Sequence, residues 1–299
     1  MNVIKITPRG YCHGVIRAIE IVKKAINSDC PRPIYILGSI IHNKYVVDEF
    51  TKLGVITLEG DMTRFDLLDN ISSGTVITTA HGVSPRVIEK AHAKNLNIID
   101  ATCLDVLKVH NKVKKYLNEG FEIIYIGKKK HPESEGIEEI DKRIHLIENE
   151  DEVNFLNLND KIFVSNQTTM SIYDIKAIYE SIKKKYPNAI IDDDICNATY
   201  VRQKALNEVK ADLIIVVGDL KSSNTKKLFE IASLKNKAIQ IESVMDIDPS
   251  TLINVKTVAV TSGASTPSAI TNSVIEYLNN FDSKNKDSFL NRNEPNTIL

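Results

Sequence analysis

Residues 12–25 read CHGVIRAIEIVKKA, residues 103–117 read CLDVLKVHNKVKKYL, and residues 196–209 read CNATYVRQKALNEV. Each stretch opens on a cysteine that follows a β-rich run, and continues as a segment with apolar residues at helical spacing, Val15, Ile16, Ile19 and Val22 in the first. The three cysteines are 91 and 93 residues apart, a near-constant period that predicts three equivalent units. Between them PIYILG, GTVITTA, NIIDA, FEIIYIG, KIFVSN, AIIDDD, DLIIVVG, KAIQIES and KTVAVTSG read as strands, alternating with helical stretches such as 172–185 and 199–209. That alternation predicts α/β units with mostly parallel sheets, whose functional loops gather at the carboxyl ends of the strands. The expected units are 1–98 with Cys12, 99–191 with Cys103 and 192–281 with Cys196. The polar, weakly patterned tail 282–299 is expected to be disordered.

Composition narrows the function. With 299 residues the chain is long enough to bury a substantial core without disulfides. Its net charge of -1, with both signs interspersed, leaves no footprint for nucleic acid or an anionic membrane. The Lys runs at 128–130 and 183–185 read as solvated faces. No signal peptide is visible at MNVIKITPRG, and apolar runs such as LIIVV at 213–217 are far too short to span a bilayer. The expectation is a soluble cytoplasmic protein, in which well-separated cysteines are thiols or metal thiolates.

Counted from each cysteine, a polar residue follows the next strand at His42, near His131 and at Ser222, and another follows a later strand at His81, Thr168 and Ser265. The later positions share a grammar: TTAHGVSP, SNQTTMS and TSGASTP run from a strand end through small polar residues to a helix start. Ser84-Pro85 and Thr266-Pro267 have the form of an N-cap followed by proline at the first helical position. Three equivalent units would thus present three thiols and two rings of hydrogen-bonding groups to one point. A lone buried cysteine is usually a packing residue, and Cys30 in SDCPRP, outside the register, keeps that reading. His13, His92, His110 and His145 lack register partners and read as surface or capping residues.

Three thiols without a local C-x-x-C pair do not fit the usual structural zinc site. They suit a soft metal or a cubane iron–sulfur cluster with one iron left open, a Lewis acid that also accepts electrons. His42, His81, His131, Ser222, Ser223, Asn224 and Ser265 offer many donors and little negative charge, as an anion with several oxygens such as a diphosphate requires. Helix N-termini at SSN and STP would add backbone N–H groups. Glu133, two residues after His131 in KKKHPESEG, would point to the same side in an extended stretch, and a carboxyl there is suited to proton handling. A zinc-dependent hydrolase and a cluster-bearing sensor without turnover are the competing readings. Glu133 and the anion-binding residues disfavour the sensor.

The ordered set RGYCHGV, IIHNKYVVD, TTAHGVSP, DATCLDVLKVH, HPESEG, QTTMS, DDICNAT, RQ, SSN and TSGAST, from residue 9 to about 266, resembles the 4-hydroxy-3-methylbut-2-enyl diphosphate reductase family of the non-mevalonate isoprenoid pathway. The resemblance implies a three-lobed, pseudo-threefold fold around a central 4Fe-4S cluster held by Cys12, Cys103 and Cys196. It implies reductive removal of the allylic hydroxyl of the substrate, giving isopentenyl and dimethylallyl diphosphates. It assigns His42, His81, Ser222, Ser223, Asn224 and Ser265 to the diphosphate, His131 and Thr168 to the substrate region, and Glu133 to proton supply. The partners it implies are the small allylic diphosphate and a ferredoxin- or flavodoxin-type electron donor. Two positions depart from the family pattern: His13 stands where a small residue is common, and Leu104-Asp105 where proline is common. Both are expected to tune the cluster rather than remove a ligand.

Overall fold

The fold is built on short, fully buried strands. LIIVV at 213–217 has no exposed side chain, its alternate residues packing into separate apolar clusters on the two faces of its sheet. Each such side chain contributes roughly 1.5–3 kcal/mol relative to exposure. In the computed structural model, which describes all residues except 61, 296 and 299, the chain runs β1 (Asn2–Lys5), α1 (His13–Ile26), β2 (Ile34–Leu37), α2 (Lys44–Lys52), β3 (Val55–Leu58), α3 (Arg64–Leu67), β4 (Thr75–Ile77) and α4 (Pro85–Ala93). It continues with β5 (Asn97–Ile99), α5 (Leu104–Asn118), β6 (Glu122–Ile126), α6 (Pro132–Glu138), β7 (Ile144–Ile147), β8 (Ile162–Asn166), α7 (Asp174–Lys185) and β9 (Ile190–Ile191). The last elements are α8 (Asn197–Asn207), β10 (Leu213–Val217), α9 (Ser223–Ser233), β11 (Ala238–Ile241), β12 (Thr257–Ser262) and α10 (Ser268–Asn280).

The strands form three four-stranded sheets, and every pairing is parallel. Their orders are β3-β2-β4-β5, β7-β6-β8-β9 and, written in the same sense, β11-β10-β12-β1. One strand order therefore occurs three times. In the first two sheets the connections leave the two central strands in opposite directions, which opens a crevice at the carboxyl ends of those strands, and in the third β1 takes the outer place without a connection from β12.

The repeat does not follow the expected boundaries. β1 pairs with β12, Asn2 opposite Thr257 through Lys5 opposite Val260, and takes the place in its sheet that β5 and β9 take in theirs. The N-terminal strand thus closes the last sheet, because NVIK finds its apolar neighbours there and not beside β2. By compactness the chain divides into two units. One comprises Met1–His13, His42–Glu49 and Asn197–Leu299, and the other Gly14–Ile41 and Phe50–Cys196. The first holds the sheet of β1 and β10–β12, the second the other two sheets.

The tail after 281 is packed where disorder is expected. Phe289 stacks on Phe281 with ring centroids 5.1 Å apart, and Ile298 lies against the same apolar cluster. Arg292 Nη1 donates to the carbonyls of Met245 and Ile247 at 3.1 and 3.0 Å, and the Tyr45 hydroxyl donates to Glu294 at 2.9 Å. Composition conceals these few anchors among polar residues. Positions 296 and 299 of that tail lie outside the described residues. Among the described residues, no helix is long and apolar enough to cross a membrane.

Candidate active site

The expected site residues sit where the repeated strand order exposes strand ends. His42, His131 and Ser222 follow β2, β6 and β10, and His81, Thr168 and Ser265 follow β4, β8 and β12, the two central strands of each sheet. Cys103, Cys196 and Cys12 follow the outer strands β5, β9 and β1 and precede α5, α8 and α1. Each cysteine is anchored the same way: its backbone N–H donates to the carbonyl of the loop after the neighbouring central strand. The partners are Ala80 for Cys103, Thr168 for Cys196 and Ala264 for Cys12, each at 3.0 Å. All four cysteines are partly exposed and none forms a disulfide.

In the larger unit, His81, His131, Glu133 and Thr168 accompany Cys103 and Cys196. The His81 and His131 rings meet edge to face with centroids 5.5 Å apart, and the Thr79 hydroxyl lies 3.4 Å from His81 Nδ1. His131 is the N-cap of α6, and its Nδ1 accepts from the Glu133 amide at 3.1 Å. HPESEG is therefore not the extended stretch that the spacing suggests. Pro132 starts a helix, and Glu133 turns inward within its first turn.

Glu133 is 1% exposed. Its Oε1 accepts from the Thr168 amide at 2.8 Å and its Oε2 from the Thr168 hydroxyl at 3.1 Å. The Tyr125 hydroxyl lies 3.5 Å from Oε1. Burial penalises the ionised carboxyl more than these donors favour it, pushing its pKa up to about 7. A group poised near neutrality can both hold and release a proton. Tyr125 is absent from the sequence-derived set, because within EIIYI on β6 it reads as one more core residue. Its hydroxyl beside the carboxyl becomes visible only when β6 and α6 are placed together.

In the smaller unit, Cys12 and His42 lie with Ser222, Ser223, Asn224 and Ser265. Ser222 caps α9, its Oγ accepting from the Thr225 amide at 3.3 Å. Ser265 Oγ donates to the His42 carbonyl at 3.0 Å and lies 3.4 Å from Ser222 Oγ. Asn224 Oδ1 accepts from the Ala264 amide at 3.1 Å, and its Nδ2 donates to Thr199 Oγ1 at 3.3 Å. The Ala264 peptide thus joins the Cys12 backbone to the polar group at the start of α9. Gly263 makes that approach possible, since a Cβ there would fall 2.1 Å from Thr225 Oγ1. The four α9 and β12 side chains are buried, polar and uncharged, and the helix beneath them directs its positive end toward any bound anion.

Of the two capping expectations, one holds and one needs correction. Ser84 is the N-cap of α4 ahead of Pro85, as expected, although its hydroxyl donates to Glu139 at 2.5 Å and makes no cap bond. Thr266 lies outside α10, whose N-cap is Pro267, and its hydroxyl bonds the Val217 carbonyl at 3.0 Å. His110, read as a surface or capping residue, is buried on α5, where desolvation pushes its pKa down to about 4 and keeps it neutral.

The thiols fit a thiophilic metal group on two counts. Each lies at the end of an outer strand, held by one repeated backbone bond, and each precedes a helix whose N-terminus favours negative charge. Residues 3–279 match the family described as LytB protein. The 4-hydroxy-3-methylbut-2-enyl diphosphate reductase of Geobacillus sp. (strain WCH70) is 49% identical over 304 aligned positions, covering 99% of this chain and 93% of that protein. The solved structure of E-1-hydroxy-2-methyl-but-2-enyl-4-diphosphate reductase from Plasmodium falciparum has a TM-score of 0.87 at 38% identity, covering 93% of this chain and 88% of that one. A second solved reductase, described as the terminal enzyme of the non-mevalonate pathway, has a TM-score of 0.67 at 28% identity, covering 94% and 100%. Since the family match takes in all three anchored cysteines and both sets of strand-end polar residues, the chain belongs to the LytB protein family.

Proposed function

We propose that the chain is a 4-hydroxy-3-methylbut-2-enyl diphosphate reductase, removing the allylic hydroxyl of (E)-4-hydroxy-3-methylbut-2-enyl diphosphate to give isopentenyl and dimethylallyl diphosphates. The observation that carries this reading is Glu133, a fully buried carboxyl poised near neutrality in a chain of this family. Loss of the hydroxyl as water needs a proton on the departing oxygen, and the reduced allyl fragment needs another on carbon. Glu133 can hold that proton on Oε2 and pass it through Thr168 Oγ1, a hydroxyl that donates and accepts at once.

Cys12, Cys103 and Cys196 would hold a 4Fe-4S cluster, which when bound would relay two electrons one at a time from the donor and offer a Lewis-acid iron. Ser222, Ser223, Asn224, Ser265, His42 and His81 grip the diphosphate. Several charge-assisted bonds, each contributing roughly 1.5–3 kcal/mol, anchor one end of the substrate while chemistry proceeds at the other. His131 orients the substrate region and, through its bond to the Glu133 amide, the helix start that carries the acid. The electrons are assigned to a ferredoxin- or flavodoxin-type donor, and the setting to the cytoplasm.

Metal and sulfide analysis of anaerobically purified protein separates this reading from a zinc hydrolase. Iron with matching sulfide is expected, falling when Cys12, Cys103 or Cys196 is changed singly to Ser and unchanged in Cys30→Ser. Stoichiometric zinc without sulfide would overturn it.

A further inference from the structure

Cys103 and Cys196 leave the ends of different sheets, on β5 and β9, yet α5, which starts at Cys103, packs its apolar face on β6 and β8 of the sheet that leads to Cys196. Apolar packing is non-directional and fixes the axial place of a helix poorly. A charged contact supplies direction here. Lys112 Nζ, nine residues beyond Cys103, lies 2.6 Å from Asp194 Oδ1 and 2.6 Å from Asp192 Oδ2. Asp194 precedes Cys196 by two residues, and its side chain is 6% exposed. It is also built into its own sheet. Ser165 Oγ donates to it at 2.6 Å, and its amide donates at 2.9 Å to Asn166 Oδ1, which accepts from the Tyr179 hydroxyl at 2.8 Å. The Asp194 end is therefore rigid, and Lys112 is the side chain that reaches it from the Cys103 helix.

We propose that Lys112 is a positioning residue for the metal centre: its ion pair with Asp194 fixes the Cys103 helix against the Cys196 loop and balances the carboxylate charge ahead of Cys196. This rests on the reading of the two cysteines as ligands. Loss of the ammonium leaves two carboxylates, two and four residues from Cys196, without their cation, so adding an electron nearby becomes harder. Loss of Asp194 leaves Lys112 paired with Asp192 alone, so local negative charge falls and the electrostatic sign is the opposite, although the same mechanical link is broken.

The test compares cluster-loaded wild type with Lys112→Gln, Lys112→Arg, Asp194→Asn and the Gln/Asn double variant, all anaerobic. Two readouts are taken: the rate of iron release to a chelator and the midpoint potential. Lys112→Gln should release iron about threefold faster, as expected when a partly exposed ammonium is taken from a buried carboxylate, and its midpoint should become more negative. Lys112→Arg should stay near wild type in both. Asp194→Asn should release iron faster with a midpoint shifted the other way, and the double variant should release no faster than the faster single. Wild-type release and midpoint in Lys112→Gln would overturn the proposal. Faster release with unmoved midpoints in both single variants would also overturn it, reducing the pair to an ordinary stabilising contact. Failure of the wild type itself to hold iron and sulfide would instead refute the ligand reading, and this inference with it.

Discussion

As the proposed acid, Glu133 has to hold a proton near neutrality, which an exposed carboxyl does not do. Its burial has a stability consequence with a definite sign. Between its ordinary value of 4.5 and about 7, the unfolded chain has lost the proton that the folded chain keeps, so stability falls as pH rises through that window. The penalty above pH 7 is on the order of 3 kcal/mol. Glu133→Gln should therefore be more stable than wild type at pH 8 in urea denaturation, and no more stable at pH 4.5. The same variant should slow turnover by about 100-fold with a full cluster, the scale of a lost general acid. Asn224 makes a different demand, since its amide is bound on both sides by Ala264 and Thr199. Asn224→Ala should weaken binding of the diphosphate far more than binding of the dephosphorylated alcohol, measured by calorimetry. Equal losses would remove Asn224 from anion recognition.

At the scale of elements, the helix that carries the proposed acid, α6, is tied at two points to helices α3 and α4 of the neighbouring α/β layer. Glu135 accepts from Arg64 Nη1 at 2.9 Å, and just beyond the helix Glu139 accepts from Ser84 at 2.5 Å. Arg64→Met should cost about 2 kcal/mol of stability, the value of a hydrogen bond to a charged group, and lower kcat more than it raises KM, since the acid moves and the anion donors do not. Nothing in HPESEG announces these ties, because their partners are some fifty to seventy residues earlier. Strands show the same boundary between local and distant information. The central strands are almost wholly buried and carry apolar runs that are legible, whereas β3 and β7, VITL and IHLI, are edge strands only partly buried and pass for turn or helix. β1 is legible as a strand, but its place beside β12 is not, since pairing over some 250 residues leaves no local mark.

For the whole molecule, periodicity carries the information: the cysteine spacing anticipates a strand order repeated three times, and each repeat places its cysteine at one outer strand. The docked tail escapes such reading, because two apolar anchors, one arginine and one glutamate do the holding. Ending the chain at residue 281 should lower the melting temperature by several degrees, as expected when about 1–2 kcal/mol of apolar contact at Phe281 is lost. An unchanged melting temperature would mean that the tail contributes no stability. The central claim, reductive loss of one hydroxyl from an intact diphosphate, is tested most directly by a single turnover. Cluster-loaded protein in excess over substrate, kept without oxygen in a chemical reductant that supplies at least two electrons per substrate, is mixed with the allylic diphosphate, and the products are identified by mass spectrometry. Two isomeric diphosphates are expected, each lacking one oxygen relative to the substrate; release of inorganic phosphate or diphosphate with the hydroxyl retained would contradict the proposed reaction.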